Sequence, residues 1–286
     1  MTFSLDHQGF ERTIVLSMQL SSDFWNFRGS FRIAKIVDIG THMSLVRRAN
    51  GRFIMIDSCA LDDTQRGELL QLTDGGRAIE AIINVHPFHT LHCRSGHEMA
   101  PHARLIGTRR HRQQDSDLPW DSQVIEDAET QAAFSEDLAF TRPDGVDLVT
   151  DDDDVHAGSV LVRHERSAIV HVDDTLNVIA APGFLGRLLP QSRLKFHPML
   201  PKALQPRAGA ADAFSGWARA LAENWSETRI VCAAHSAIRR LPEVGWRKEI
   251  HAALADIESK LEKHRAANGS SGRSRNKPEL GKDAHP

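Results

Sequence analysis

The 286-residue chain has no tyrosine and only three cysteines, and neither sign of charge prevails: 35 Lys and Arg stand against 38 Asp and Glu, a formal net charge of -3. Each scarcity excludes something. Without tyrosine there is no tyrosine acid or nucleophile. Cys59, Cys93 and Cys232 lie far apart with no CxxC pair, which leaves neither a disulfide framework nor a four-cysteine zinc site and fits a reducing, cytoplasmic setting. No run approaches the roughly 18 apolar residues of a membrane span. The N-terminus carries Asp6, Glu11 and Arg12 between short apolar stretches and lacks the unbroken apolar core of a signal peptide. The mildly acidic balance argues against nucleic acid as a partner, and the local group Arg104, Arg109, Arg110 and Arg112 reads as a solvated surface. The expected partner is a small molecule, with no membrane and no nucleic acid, and the oligomeric state stays open.

What the chain has in excess is histidine, 16 against 12 phenylalanines. Six of them, His86, His89, His92, His97, His102 and His111, fall within 26 residues, where an even spread would place about 1.5. Histidine is the commonest metal ligand, so the cluster is the first place to look for chemistry.

The organisation around it is mixed α and β. Residues 1–20 read as a loosely attached lead-in, 21–267 as the folded body and 268–286, nearly devoid of apolar residues, as a disordered tail. Strand-like segments begin at Phe31, His42 and Arg52, the last two joined by Asn50-Gly51, a strong hairpin signal. Asp62 with Gln65 three residues on predicts a capped helix that stops at Asp74-Gly75-Gly76. Ile79 to Val85 is too continuously apolar for a strand with one wet face, and with the helical stretch after it and the strand-like segment from Ala103 it predicts a crossover unit. A hairpin is expected from Ser159 and Ala168, a short strand from Arg229, and amphipathic helices over 212–224 and 243–266.

Three sets of candidate ligands stand at the ends of these strands. His86-Pro87-Phe88-His89-Thr90-Leu91-His92 follows the buried strand directly; a spacing of three brings His89 and His92 to one side of a helical turn, with His86 at the strand's exit. His156 precedes one strand, Asp173 and Asp174 end another, and His235 follows a third. Neutral imidazoles with one carboxylate suit zinc, iron or manganese, as one or two ions. Taken singly, each of these histidines is more simply a hydrogen-bonded surface or core residue; His164, His171, His197, His251 and His264 are read that way.

The ordered set resembles the metallo-β-lactamase fold superfamily: an Ile-Asp-Ser turn at Asp57, a histidine motif after a buried strand, the stretch VHAGSVLVRHERSAIVHVDDTL leading through a hairpin to paired aspartates, and RIVCAAH as the last strand with its terminal histidine. The resemblance spans nearly all of residues 24–240 and implies a four-layer αββα sandwich. It makes His86, His89, His92, His156, Asp174 and His235 the metal ligands, with Asp174 bridging and Asp174 and His235 nearest the chemistry, and it places Asp57 and Asp173 behind them as supports. It implies a divalent metal, zinc first, and hydrolysis of an ester or amide by metal-activated water.

One departure is specific. The family's first motif is His-x-His-x-Asp-His, whereas here Leu91 stands where the aspartate belongs, and Asp173 stands where the family has glycine. Losing that carboxylate removes a charged ligand from one of two metal positions. The alternatives are therefore a hydrolase with a mononuclear or altered site, or a metal-deficient binding protein on the same fold, with a non-haem iron redox enzyme ranked after both. The loops 107–121 and 181–211 are expected to shape the pocket.

Overall fold

The computed structural model describes residues 18–29, 32–33, 37–38, 40–178, 193–234 and 238–269. The lead-in up to residue 17, the tail from 270 and His235 lie outside the described residues. Two main sheets face each other. The first is six-stranded, in the order β1 (Met18–Ser21), β2 (Phe24–Gly29), β5 (Thr41–Arg47), β6 (Phe53–Ile56), β7 (Ile79–Ile83), β8 (Arg104–Ile106), with β3 (Arg32–Ile33) and β4 (Val37–Asp38) paired separately. The second is five-stranded: β15 (Ile238–Arg240), β14 (Ile230–Ala233), β11 (Ile169–Val172), β10 (Leu161–His164), β9 (Leu138–Thr141). A small ribbon of β12 (Leu176–Asn177) and β13 (Lys195–Phe196) lies between β11 and the C-terminal helices in sequence.

The hairpin at Asn50-Gly51 forms as expected, with β5 and β6 antiparallel and Gly51 at φ +81°. β6, β7 and β8 then run parallel, which requires crossovers. The first crossover is α1 (Asp63–Leu72), opened by the Asp62 and Gln65 capping box and closed where Asp74, Gly75 and Gly76 all take positive φ. The second carries the histidine motif and α2 (Cys93–Met99). Shorter α3 (Arg109–Gln114) and α4 (Ala128–Ala132) follow β8, and the long helices α5 (Ala210–Asn224) and α6 (Gly245–Asn268) cover the second sheet.

Strand periodicity sorts the side chains into three apolar layers. In β6, Ile54 and Ile56 face the second sheet while Phe53 and Met55 face α1 and α2. Both faces are covered, so β6 reads as an unbroken apolar run and β7 as one interrupted by Glu80, which is half-buried and paired with Arg48. The inter-sheet layer joins Phe24, Val46, Ile83 and Ile106 to Val162, Ile169 and Ile230, and fully burying each such side chain is worth about 1.5–3 kcal/mol. The outer layer of the second sheet joins Val170, Val172 and Val231 to Phe214, Trp217, Trp246 and Ile250 of α5 and α6. Helix, sheet, sheet, helix is the αββα sandwich that the sequence led us to expect. The described part of the 181–211 connection does not overhang a pocket: Leu194, Phe196, Leu200 and Leu204 are buried in that helical layer.

One end of the inter-sheet layer is polar. The β2–β5 register pairs Phe24 with Val46, Asn26 with Ser44 and Arg28 with His42. These residues share the inward face, because Trp25, Phe27, Met43 and Leu45 pack on the outer one. In β11, Ile169 is followed on the same face by His171 and then by Asp173 beyond the strand. An apolar rung thus gives way to hydrogen-bonding rungs as the sandwich approaches the end where the histidine motif emerges.

Candidate metal centre

β7 leads to the motif through Asn84 and Val85. The backbone is clamped there: the Val85 N–H donates to Asp57 Oδ1 (2.8 Å), and the Val85 carbonyl accepts the Val160 N–H from the second sheet (3.1 Å). Asp57 is a non-glycine residue at φ +60°, a conformation that aspartate tolerates better than most, and this turns its carboxylate back into the layer. His86 follows, fully buried, its ring stacked on that of His89 at 4.0 Å and 26°.

Asp174 arrives from the other sheet. Its loop is tied down by Thr175 Oγ1, which bonds the N–H (2.9 Å) and hydroxyl (3.0 Å) of Ser159. Asp174 Oδ2 lies 3.1 Å from His86 Nε2 and 3.8 Å from His89 Nε2. Ligand atoms of His86, His89 and Asp174 all fall within 4.8 Å of one another. His86 Nε2 is buried without a hydrogen-bond partner, because at 3.1 Å it is close to Asp174 but out of line with it. The other edge of the ring, Nδ1, faces the Phe88 N–H at a long 3.2 Å. A buried, unsatisfied imidazole nitrogen beside a second imidazole and a carboxylate fits a divalent cation. Two histidines and one carboxylate form a three-ligand set of the kind that leaves a coordination position open for reacting groups. Holding an ion at Nε2 requires the proton on Nδ1, so the Phe88 contact is the one given up on loading.

A second group lies directly behind. His42 Nε2 donates to Asp173 Oδ1 (3.2 Å), while Asp173 Oδ2 accepts from His89 Nδ1 (3.0 Å). His42 Nδ1 accepts from Asn26 Nδ2 (3.2 Å). His171 is stacked flat on His42, 4.3 Å and 2° apart, with Nε2 donating to Asp57 Oδ2 (2.8 Å) and Nδ1 accepting from Ser44 Oγ (2.9 Å). His42, His171 and Asp173 also place ligand atoms within 4.8 Å of one another, yet every ring nitrogen of His42 and His171 is already hydrogen-bonded. The two groups are thus chemically unlike.

The electrostatics follow from burial and pairing. Burial acts to lower the His89 pKa, but the charges of Asp173 and Asp174 and the bond to Asp173 outweigh it and carry the ring up to about 9. Burial acts to raise Asp173, but His89 and His42 hold it well below the ordinary carboxylate range. Burial and the neighbouring His171 push His42 down to about 3 in spite of Asp173. Of the two imidazoles on Asp173, His89 therefore carries the positive charge and His42 donates as a neutral ring. His86 is lowered by burial and by the His89 charge, and Asp57 is raised to about 6 by burial and by Asp173. Arg28, half-buried at the same end, donates to the Ala233 carbonyl (3.2 Å).

Of the residues that the sequence singled out, His86, His89 and Asp174 come together, with Asp173 and Asp57 behind them. His92 stands at the start of α2, half-buried and outside the donor set; burial and then the His89 charge lower its pKa. His156 is also outside the set: its ring is stacked on Phe88 (4.0 Å, 20°) and its Nε2 contacts the Asp153 carbonyl. The Arg110 guanidinium lies over the same Phe88 ring at 4.0 Å, so Phe88 is sandwiched at the rim. His42 and Asn26 were not foreseen, and His171 was read as an ordinary core histidine. The signal was the polar drift along one face of three strands: Phe24, Asn26, Arg28; Val46, Ser44, His42; Ile169, His171, Asp173.

No family model and no curated protein matches the chain. Solved structures do. A metallo-β-lactamase from Erythrobacter litoralis, with β-mercaptoethanol in its active site, superposes with a TM-score of 0.56 at 13% identity, covering 85% of this chain and 96% of its own. A metallo-β-lactamase from Pseudomonas aeruginosa in a mono-zinc form gives 0.56 at 11% identity, over 86% and 95%. One from Pontibacter korlensis gives 0.53 at 12%, over 85% and 98%. Two facing sheets with helices outside, a histidine motif at the exit of β7 and an aspartate pair at the exit of β11 accord with these likenesses: the chain has the metallo-β-lactamase fold.

Proposed function

We propose that the protein is a metal-dependent hydrolase with a single divalent ion, zinc in the first instance, held by His86, His89 and Asp174. The observation that carries this reading is the buried, unpartnered Nε2 of His86 beside the other two donors. Such an ion supplies Lewis acidity, polarising a carbonyl and making water a competent nucleophile near neutral pH. The chain's own residues supply the rest. His86 and His89 present imidazole nitrogens on one side, and Asp174 supplies the negative charge that favours a cation and a carboxylate able to take a proton from attacking water. Asp173 fixes the edge of His89 that faces the donor set. Phe88, stacked between Arg110 and His156, covers one rim and keeps bulk water from that side. Substrates of ester, thioester or amide type are the class to screen, and His235, which follows β14 in sequence, is the further ligand that the resemblance proposes.

The test is metal content and affinity of the purified protein beside His86→Ala and Asp174→Ala, followed by a hydrolysis screen of the loaded protein. Stoichiometric metal in the parent that is lost in both variants is the expected result; equal metal in all three overturns the assignment. The departure at Leu91, whose side chain is 71% exposed, favours a second reading, a metal-deficient binding protein on the same fold. Absence of stoichiometric metal in the parent at neutral pH would select it.

A further inference from the structure

We propose that Asp173, backed by His42, is the positioning residue of the His86–His89–Asp174 centre rather than one of its ligands. The inference rests on the metal-binding reading above and concerns a position where the resemblance would have placed a glycine. Asp173 is one residue from Asp174, but both of its oxygens are occupied: Oδ1 accepts from His42 Nε2, and Oδ2 accepts from His89 Nδ1, the nitrogen on the far edge of that ring from Asp174. The chain of contacts fixes the tautomers. The ionised Asp173 carboxylate can only accept, so the ring proton of His42 sits on Nε2, pointed at Asp173, and Nδ1 faces Asn26 Nδ2, whose two protons are shared among His42, the Met43 carbonyl and Ser44 Oγ. Asp173 is thereby oriented to receive the Nδ1–H of His89, which turns His89 Nε2 toward Asp174. A carboxylate behind a metal-binding histidine fixes its tautomer and ring orientation and raises its basicity. His42 is itself held by its flat stacking on His171 and cannot turn without disturbing that pair.

The geometry gives a physical basis to the two roles that the resemblance assigned within the dipeptide Asp173-Asp174 and adds His42 behind the first of them. Asp173 continues the inward face of β11, whereas Asp174 lies in the turn closed by the Leu176 N–H on the Asp173 carbonyl (3.2 Å), so one aspartate reaches back between the sheets while the other reaches the centre. Every donor in the rear group is satisfied without an ion, whereas the front group leaves a nitrogen unsatisfied. That contrast assigns the ion to the front and support to the rear.

The experiment compares Asp173→Asn, which keeps the shape, and His42→Gln, which keeps a donor toward Asp173, with the parent and His86→Ala. Folding is checked by circular dichroism. Zinc affinity is measured by competition with a chromophoric chelator, and the ligand field by the visible spectrum of the cobalt-substituted protein. A positioning role predicts one ion per chain in both variants, affinity weakened about 10- to 100-fold, and cobalt band positions like the parent's. Loss of stoichiometric metal in Asp173→Asn with no change in His42→Gln would make Asp173 a ligand and overturn the proposal, as would parental affinity in both. A metal-free readout runs alongside. Nitrogen-15 spectra of the metal-free imidazoles at about pH 10, above the His89 pKa of about 9 so that the ring is neutral and holds one proton, should show that proton on Nδ1 in the parent and displaced from it in Asp173→Asn; an unchanged His89 pattern overturns the proposal whatever the metal results. Failure of the metal reading shows itself separately, as a parent that binds no zinc or a His86→Ala variant that binds it equally.

Discussion

Asp57 offers the sharpest test of the buried network, because replacing it by alanine and by asparagine should have opposite consequences. Its carboxylate is 3% exposed as a residue and accepts two hydrogen bonds at 2.8 Å, from the Val85 N–H and from His171 Nε2. Alanine removes both acceptors and leaves two buried donors unmatched, at about 1–3 kcal/mol each. Together with the poorer fit of alanine to φ +60°, and less the relief of the buried charge that alanine shares with asparagine, the expected net loss at neutral pH is a few kcal/mol, at most about 5. Asparagine keeps an oxygen for Val85, tolerates the left-handed backbone, and presents an amide donor to His171. His171 can accept it by moving its proton to Nδ1, since Ser44 Oγ has a lone pair to receive that proton. Asparagine also removes a charge that the site resists. Burial and Asp173 raise Asp57 to about 6 from 3.8, so the ionised form is disfavoured by about 3 kcal/mol at neutral pH. The sign follows from proton binding. Between the unfolded value of 3.8 and the folded value of about 6 the native state holds the extra proton, so the parent loses stability as pH rises through that window and is level above it. Asparagine lacks this loss, and its advantage over the parent should grow from pH 5 to pH 7.5, by an amount on the order of 1 kcal/mol. Urea denaturation of the metal-free proteins at the two pH values measures it. An asparagine variant as damaged as alanine at pH 7.5, or a gap that narrows with rising pH, refutes the reasoning.

Three further outcomes follow from other parts of the molecule. Gly96→Ala gains about 1 kcal/mol of helix propensity but drives a methyl to 2.3 Å from Ser58 Oγ and 3.0 Å from Ser58 Cβ, so α2 must lift from the sheet; net destabilisation of about 1–2 kcal/mol is expected in the urea midpoint. Burial, and then the charge of Arg166, hold the His164 pKa below 6.5, so its contribution is complete above about 6.5 and is lost as pH falls and the unfolded chain takes up a proton that the native ring resists; His164→Asn should flatten the decline in unfolding free energy between pH 7 and pH 5.5. Leu91→Asp restores the family's residue type, but that side chain points to solvent, so the variant should bind no second ion by metal analysis.

The fold was legible wherever a local signal agreed with the period of the element. Asn50-Gly51 marked a hairpin, Asp62 with Gln65 marked a helix start, and the apolar run at Ile79 marked a doubly covered strand. β9 and α4 escaped notice because four or five residues carry too little periodicity to stand out. β1 begins at Met18, within the stretch read as lead-in, since Met-Gln-Leu-Ser at a sheet edge has no strong alternation and little burial. The front of the site was legible as a family pattern, and so were Asp57 and Asp173 behind it, but His42, His171 and Asn26 were not. A single histidine inside a strand does not announce which face it occupies; only the register that sets Arg28 opposite His42 and Phe24 opposite Val46 shows that it points between the sheets. The resemblance set Asp174 apart as a ligand from Asp173 as a support, but the partner behind Asp173, His42, comes from a different strand and is visible only in the fold.

These placements bear on how many ions the fold holds here. Two-ion sites need charge from the protein to offset the ions' mutual repulsion, and the family pattern supplies part of it through the aspartate that Leu91 replaces. The carboxylates that remain between the sheets do not fill that gap. Asp57 is spent on Val85 and His171, and Asp173 on His42 and His89, leaving Asp174 as the one carboxylate in the front donor set. One carboxylate and two imidazoles balance a single divalent ion better than a pair. The buried histidines, on the proposed reading, hold one centre rigidly: a stacked pair, each ring hydrogen-bonded at both nitrogens, connects the clamp on Val85 just ahead of His86 to the carboxylate bonded to His89. On the proposed reading, the loss of a second ion and the gain of Asp173 are linked, because a carboxylate where the family has glycine fills space between the sheets and turns His89 into a fixed ligand for the ion that stays.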